Sequence, residues 1–167
     1  MGEIVYLSLG SNLGDRQACL DKATARLSQM IGLTLLGESS TYYSTPIDCA
    51  VNCPEFLNKV VKLECTLKPV QLLDNTERLE KALGRTEKGF NVDRVIDIDI
   101  ILFGNRNFKN ERLEIPHPRM AQRAFVLIPL CEIDPDLTDP QTKTSFAERA
   151  KQLGDQGVTL YKENADV

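Results

Sequence analysis

The sequence lacks several features that would point to particular classes of protein. None of its apolar runs approaches the roughly 18 residues that a membrane-spanning helix needs, and the first residues show neither a basic region nor a cleavage pattern. The phosphate-binding G-x-x-x-x-G-K-[ST] loop, the G-x-S-x-G elbow and the protein-kinase signatures are also missing. We therefore expect a cytoplasmic protein without a membrane partner, and we exclude a P-loop kinase.

Cysteine and histidine are few and follow no regular pattern. Five cysteines form an odd, scattered set, which favours free thiols in a reducing compartment over a disulfide framework. Cys49 and Cys53 are close enough to suggest zinc, but the only histidine is His117 and no second pair of ligands follows. We therefore interpret these two cysteines as free thiols in a loop.

The composition and the hydrophobic pattern predict one globular domain. Of the 167 residues, 42% are hydrophobic and 26% are charged, which is usual for a soluble domain. Apolar periodicity predicts strands at 4–10, 33–44, 56–65, 95–103, 123–130 and 158–161. It predicts helices from Pro69 to Gly84, at 144–153, and between Asp15, which could cap the helix start, and Gly32, which is placed to stop it. The core order β-α-β-β-α-β favours an α+β fold over a doubly wound sheet.

The charge of the chain is unevenly distributed. The net charge is −4, yet residues 81–123 carry nine basic and six acidic side chains, so this segment is +3 and the rest is −7. A net acidic chain argues against general nucleic-acid binding, whereas a local basic segment suggests a site for a small polyanion. A solvated charged surface is the alternative interpretation.

Two aspartates are the most informative feature of the sequence. Asp97 and Asp99 alternate with isoleucines at 96, 98 and 100 in a strand pattern, so both carboxylates share one face of the strand. Their backbones lie about 7 Å apart, a spacing that suits a pair of Mg²⁺ ions between carboxylate and phosphate oxygens. The alternative is the exposed polar face of an edge strand.

Basic side chains flank these aspartates in the sequence. His117 stands between two prolines, close to Arg119 and Arg123, in a stiff turn that would suit contact with phosphate. Arg85 and Arg94 bracket a polar loop whose ends could bring guanidinium groups onto a triphosphate. An ordinary surface role for a lone histidine is the alternative.

The ordered motifs of the chain resemble those of a known enzyme family. They are Leu9-Gly-Ser-Asn-Leu-Gly14, Tyr43-Ser-Thr-Pro46, Phe56-Leu-Asn58, Glu80 with Gly84-Arg85, Arg94-Val-Ile-Asp-Ile-Asp-Ile100, Ile115-Pro-His-Pro118 and Arg123-Ala-Phe-Val-Leu127. Taken together, and in this order from residue 4 to about 137, they resemble the 6-hydroxymethyl-7,8-dihydropterin pyrophosphokinases of the folate pathway.

The resemblance implies a fold, a reaction and a set of site residues. The fold would be a ferredoxin-like sheet with helices packed on one face, plus C-terminal additions. The enzyme would move the diphosphate of ATP onto the pterin hydroxymethyl group and release AMP, with two Mg²⁺ ions on Asp97 and Asp99. The implied catalytic residues are Arg85, Arg94, Asp97 and Asp99; the implied ATP contacts are Glu80, Arg85, Arg94, Ile100, Arg112, His117 and Arg123; the implied pterin contacts are Thr45, Pro46, Asp48, Phe56, Asn58, Asp97 and Phe125.

Two other functions are compatible with parts of the pattern. A metal-dependent phosphohydrolase could use the same pair of acids. A ferredoxin-like RNA-binding module would need exposed aromatic and basic side chains on the sheet, where this sequence instead carries the two aspartates. We therefore expect ATP and the dihydropterin as partners, no nucleic acid, and a monomer.

Overall fold

The computed structural model describes residues 2–45, 55–84 and 95–161. Within these ranges the elements are β1 (Glu3–Ser11), α1 (Arg16–Ser28), β2 (Leu33–Glu38), β3 (Tyr42–Ser44), β4 (Phe56–Cys65), α2 (Pro69–Ala82), β5 (Asp97–Phe103), β6 (Phe108–Lys109), β7 (Glu114–Ile115), a 3-10 helix (Met120–Gln122), α3 (Ala124–Ile133), α4 (Phe146–Leu153) and β8 (Thr159–Leu160). None of the helices described in these ranges is long and apolar enough to cross a membrane.

One antiparallel sheet forms the centre of the molecule. Its strand order is β5-β1-β4-β3-β8, and β2 pairs with the same edge of β4 as β3 does. The two longest strands, β1 and β4, pair from Glu3 with Cys65 to Ser11 with Leu57, so they form the middle of the sheet. Strands β6 and β7 form a separate two-stranded hairpin.

The region 33–44 forms two strands, whereas the sequence predicts one. Ser39 stands at the break, where its backbone N–H donates to the carbonyl of Val60 at 2.9 Å and its hydroxyl accepts from the N–H of Val60 at 2.9 Å. In a regular strand pair, a backbone carbonyl would accept from the N–H of Val60. Here the Ser39 hydroxyl accepts instead, so the chain can depart from strand geometry while the buried N–H keeps a hydrogen-bond partner.

Helices cover both faces of the sheet. Helices α1 and α2 pack Leu20, Leu27 and Leu72 against one face, as part of the larger core cluster. Helices α3 and α4 pack against the opposite face, where Leu127 and Phe146 join the second cluster. The expectation of helices on one face is therefore correct for α1 and α2 only, because the C-terminal additions include two helices that bury the other face.

Helix α3 corrects the predicted strand at 123–130. A short apolar run looks the same in a buried strand and in a buried helix, so periodicity could not decide between them. The tertiary structure decides it, because Val126, Leu127 and Leu130 lie on one helical stripe that packs on the sheet. The helix accommodates Pro129 in its interior.

The start of α1 confirms a prediction made from the sequence. The Asp15 carboxylate accepts a hydrogen bond from the N–H of Ala18 at 3.1 Å, as an N-cap side chain does. The helix ends at Ser28, four residues before the predicted stop at Gly32, which instead occupies the turn into β2 with a φ of +92°.

Candidate active site

A row of three residues crosses three neighbouring strands near one end of the sheet, at the end of β1 and the start of β4 and β5. Gly10 on β1 is the register partner of Asn58 on β4 and also of Asp97 on β5. A Cβ at Gly10 would stand 3.0 Å from Asn58 Oδ1 and 3.5 Å from Phe56 Cδ1. Glycine therefore keeps open the space between the amide and the carboxylate, which a side chain would narrow.

Both aspartates of β5 lie on this face. Ile98 and Ile100 are buried in the cluster beneath α1 and α2, whereas Asp97 and Asp99 alternate with them and are half-buried on the opposite face. The predicted common face of the two carboxylates is confirmed. Ser8 is the β1 partner of Asp99, so the second carboxylate also faces a small residue.

A hydrogen bond to a residue of α2 restrains the backbone between the two aspartates. The carboxylate of Glu80, which is 2% exposed, accepts a hydrogen bond from the N–H of Ile98 at 2.8 Å. This bond restrains the strand at the residue that separates Asp97 from Asp99. The predicted contact of Glu80 with ATP stays a prediction.

His117 lies near Asp97, the residue at the β5 end of this row. Its backbone N–H donates to the carbonyl of Ile101 at 3.0 Å, and its Nδ1 accepts from the N–H of Arg119 at 3.1 Å. Because Nδ1 is an acceptor, the proton of the neutral ring is on Nε2.

The charge state of His117 follows from its surroundings. Burial lowers the pKa of His117 from 6.5 to about 4; the positive charges of Arg123 and Arg119 also lower it, whereas Asp97 raises it. The ring is therefore a neutral hydrogen-bond donor above pH 5. Arg119, Arg123 and Asp97 are thus each close enough to His117 to influence its charge.

Aromatic side chains border the same face. Phe56 alternates with Leu57 on β4 and shares the face of Asn58. Phe125, in the first turn of α3, packs half-buried against the second core cluster, which lies on this face. The guanidinium carbon of Arg123 is 5.5 Å from the centre of the Phe125 ring, within the range of a cation–π contact.

A hydrogen bond orients Asn58. This residue is 3% exposed, and its Nδ2 donates to Ser44 Oγ on β3 while its Oδ1 faces Gly10. Ser44 is not among the predicted site residues, although it lies inside the motif Tyr43-Ser-Thr-Pro46. Thr45, at the end of β3, is exposed. The predicted residues Pro46, Asp48, Arg85 and Arg94, and also Cys49 and Cys53, lie outside the described residues.

Two of the predicted ATP contacts have side chains that are engaged elsewhere in the fold. Arg112 donates from one terminal nitrogen to Asp74 at 2.8 Å and to Glu77 at 2.7 Å on α2, and these hydrogen bonds raise its pKa. The side chain of Ile100 is buried in the core on the other face of the sheet, so only its backbone could meet a nucleotide.

The carboxylate pair suits magnesium. Among residues 2–45, 55–84 and 95–161, no group of three or more His, Cys, Asp or Glu side chains gathers in a metal-binding arrangement. Mg²⁺ is usually bound by one or two carboxylates together with phosphate oxygens, which is the donor set that Asp97 and Asp99 would form with a bound polyphosphate.

Comparison with known proteins identifies the family. Residues 6–135 match the family 7,8-dihydro-6-hydroxymethylpterin-pyrophosphokinase (HPPK). The chain belongs to the HPPK family. It is 36% identical over 167 residues to the 2-amino-4-hydroxy-6-hydroxymethyldihydropteridine pyrophosphokinase of Bacillus subtilis, with 100% of this chain and 95% of that protein covered. A Porphyromonas gingivalis protein of the same name is 46% identical over 136 residues, which cover 79% of this chain and 91% of that protein.

Some relatives of this HPPK-family chain are much longer. It matches 22% of the length of the Schizosaccharomyces pombe folic acid synthesis protein fol1, at 36% identity and with 95% of this chain covered. A crystal structure of Plasmodium falciparum HPPK-DHPS with pteroate superposes with a TM-score of 0.71 at 14% identity, over 91% of this chain and 42% of the other. The chain thus spans less than half of that solved chain, and this likeness shows the fold alone.

Proposed function

We propose that this protein transfers the diphosphate of ATP to the hydroxymethyl group of 6-hydroxymethyl-7,8-dihydropterin and releases AMP, a step of folate biosynthesis. The observation that carries the proposal is the single sheet face on which Asn58, Asp97 and Asp99 lie. A flat heterocycle and a polyphosphate could be bound there side by side. Membership of the HPPK family supports the same reaction.

The strand order supports a ferredoxin-like arrangement of the core. When β2 and β3 are counted as one interrupted strand, the core order is β5-β1-β4-(β2/β3), and every pairing is antiparallel. This is the order in which a β-α-β-β-α-β chain places its first and third strands at the centre of the sheet.

The pterin would lie over Gly10, between two aromatic rings. Asn58 offers both a donor and an acceptor, and its oxygen faces the space above Gly10, where it would accept from an N–H of the pterin. Phe56 and Phe125 would stack on the flat ring, an interaction worth about 0.5–1.5 kcal/mol beyond burial. Thr45, Pro46 and Asp48 are proposed to contribute backbone contacts.

The phosphates would lie toward β5. Asp97 and Asp99 would hold two Mg²⁺ ions, which when bound neutralise phosphate charge and favour ionisation of the attacking hydroxyl. Arg123 lies beside His117, and the Nε2–H of the neutral His117 is available as a donor to a phosphate or ribose oxygen. Arg85 and Arg94 are proposed to contact the phosphates, and Ile100, Arg112 and Glu80 to line the nucleotide.

Positioning and charge placement supply most of the catalysis in this proposal. Phosphoryl-type transfers need their reacting atoms aligned and their developing negative charge neutralised, with little covalent participation by the protein. His117 is not the general base, because its Nδ1 already accepts from the N–H of Arg119 and its Nε2 carries the proton. The restrained backbone at Ile98 keeps both aspartates in fixed register for this task.

The identity of the released nucleotide tests the proposal. The protein is incubated with ATP, Mg²⁺ and the dihydropterin, and the nucleotides are separated by chromatography. The expected product is AMP, formed in equal amount to the pterin diphosphate and only when the pterin is present. Formation of ADP, or nucleotide release that does not depend on the pterin, would indicate a phosphohydrolase instead. The protein is expected to remain a monomer during the assay, which light scattering checks.

A further inference from the structure

The segment 155–161, which we call the C-terminal strap, contains a residue with an unusual backbone. Gln156 has a φ of +51°, in the left-handed region that residues other than glycine rarely adopt. Such a conformation costs free energy and persists only where surrounding contacts determine it. Asp155 supplies part of that support, because its carboxylate accepts from the N–H of Gly157 at 2.9 Å and its carbonyl from the N–H of Val158 at 2.8 Å.

The side chain of Gln156 caps the start of α3. Its Oε1 accepts from the N–H of Ala124 at 2.9 Å, and its Nε2 donates to the carbonyl of Gln122 at 3.3 Å. Both partners are backbone groups, so the orientation of the amide is unambiguous. Within the described chain, the side chain of the N-cap residue Arg123 makes no capping hydrogen bond. Gln156, which is 32 residues further along the chain, therefore supplies the acceptor for the N–H of Ala124 at the helix start.

The other end of the strap is part of the sheet. Strand β8 pairs with β3, with Thr159 opposite Tyr43 and Leu160 opposite Tyr42. The Tyr161 ring stacks on Tyr43 with a centroid separation of 5.1 Å, and its N–H donates to the carbonyl of Thr41 at 2.9 Å. The strap is thus firmly attached to the strand that borders Asn58 and carries its hydrogen-bond partner Ser44.

The two ends of α3 are attached to the β3 side by different residues. At the C-terminal end, Glu132 accepts from the N–H of Ser40 at 2.9 Å and from the hydroxyl of Tyr42. At the N-terminal end, where Phe125 lies, the described hydrogen bonds from the strap are those of Gln156. Arg149 of α4 also contacts this end, because its Nε donates to the carbonyl of Ala121 at 2.7 Å. Helix α4 is not part of the sheet, so this bond does not connect the start of α3 to β3.

We propose that Gln156 is a positioning residue for the pterin pocket, which sets the separation between the start of α3, with Phe125, and the β3–β4 side, with Phe56 and Asn58. This inference rests on the proposed function, because it assumes that the pterin lies between the two aromatic rings. A ring can stack on both Phe56 and Phe125 only when the distance between these two side chains is fixed. If the start of α3 were free to shift, this stacking would weaken, while the aspartates on β5 would keep their positions.

The test compares two glycine substitutions at positive φ. Gln156→Gly removes both hydrogen bonds, while glycine accepts the backbone conformation without strain, so the variant should fold. Lys143→Gly is the matched control, because Lys143 has a φ of +65° in the turn before α4 and its described contacts are with Asp139 and Pro140. Circular dichroism of both variants checks the fold.

The expected result is a separation of KM from kcat. Gln156→Gly should raise the KM for the dihydropterin about tenfold, the size of effect that follows when a capping interaction worth about 1.4 kcal/mol is lost. Its kcat should stay within about twofold of the unsubstituted protein, and Lys143→Gly should change neither constant. Gln156→Glu, which keeps an acceptor for the N–H of Ala124 at a helix N-terminus, should restore part of the affinity.

Each remaining outcome overturns one specific statement. An unchanged dihydropterin KM in Gln156→Gly, or an equal rise in Lys143→Gly, would overturn the positioning role while leaving the proposed function intact. A fall in kcat at unchanged KM would also overturn it, because the strap would then act on the reacting groups. If the unsubstituted protein forms no AMP with the dihydropterin, the proposed function itself fails.

Discussion

Protonation of His117 should lower the stability of the protein at mildly acidic pH. Burial is the largest cause that lowers its pKa from 6.5 to about 4 in the folded state, whereas the unfolded chain keeps the ordinary value. Between these two values the unfolded chain binds more protons than the folded protein. The stabilisation from the neutral buried ring is therefore fully present above pH 6.5 and is lost as the pH falls toward 4.

The magnitude follows from the two pKa values. A difference from 6.5 to about 4 corresponds to about 3 kcal/mol of unfolding free energy, of which about 2 kcal/mol is already lost at pH 5. That is a large fraction of the total stability of an ordinary domain, about 5–15 kcal/mol. The measurement should be made without divalent cations, because a cation on Asp97 would change the charge that faces the ring.

The single histidine makes the assay direct. Its Hε1 proton gives a single resolvable NMR signal, so the folded pKa can be obtained without assigning other residues. Urea unfolding at pH 7 and pH 5 gives the stability. His117→Gln is the control, because it removes this titration while the carboxylates remain. A histidine signal that titrates near 6.5 in the folded protein, or an equal loss of stability in both proteins between pH 7 and pH 5, would contradict this role of His117.

Further predictions concern the carboxylates, a buried hydroxyl and the core. Asp97→Ala and Asp99→Ala should each lower AMP formation by more than about a hundredfold with an unchanged urea midpoint; near-normal turnover in either would remove its metal role. Ser11→Ala should raise the unfolding free energy by about 1 kcal/mol, because the fully buried Ser11 hydroxyl has no hydrogen-bond partner among the described residues; a loss in urea unfolding would contradict this. Leu127→Ala should cost about 3 kcal/mol by the same measurement, whereas Ile31→Ala, at a side chain 92% exposed, should cost almost nothing; equal costs would contradict the assigned packing of α3.

Local sequence patterns were enough to predict those features that depend only on residues close together in the sequence. The alternation around Asp97 and Asp99 predicted which side chains share a face, because successive residues of any strand point to opposite sides. The cap at Asp15 was likewise readable, since capping chemistry spans three residues. Residues 123–130 could not be predicted in this way, because a short apolar run is compatible with a buried helix and with a buried strand. The surface against which it packs decides between the two.

The sequence by itself determined the strand that carries the two aspartates and the face on which they lie. Only the tertiary structure decided that Asn58, Gly10 and Asp97 form one row, because strand register joins residues that are far apart in the chain. The same holds for Gln156, whose side chain caps a helix that begins 32 residues earlier. Long-range hydrogen bonds of this kind leave no periodic signal, since their partners are chosen by the folded geometry and not by spacing along the chain.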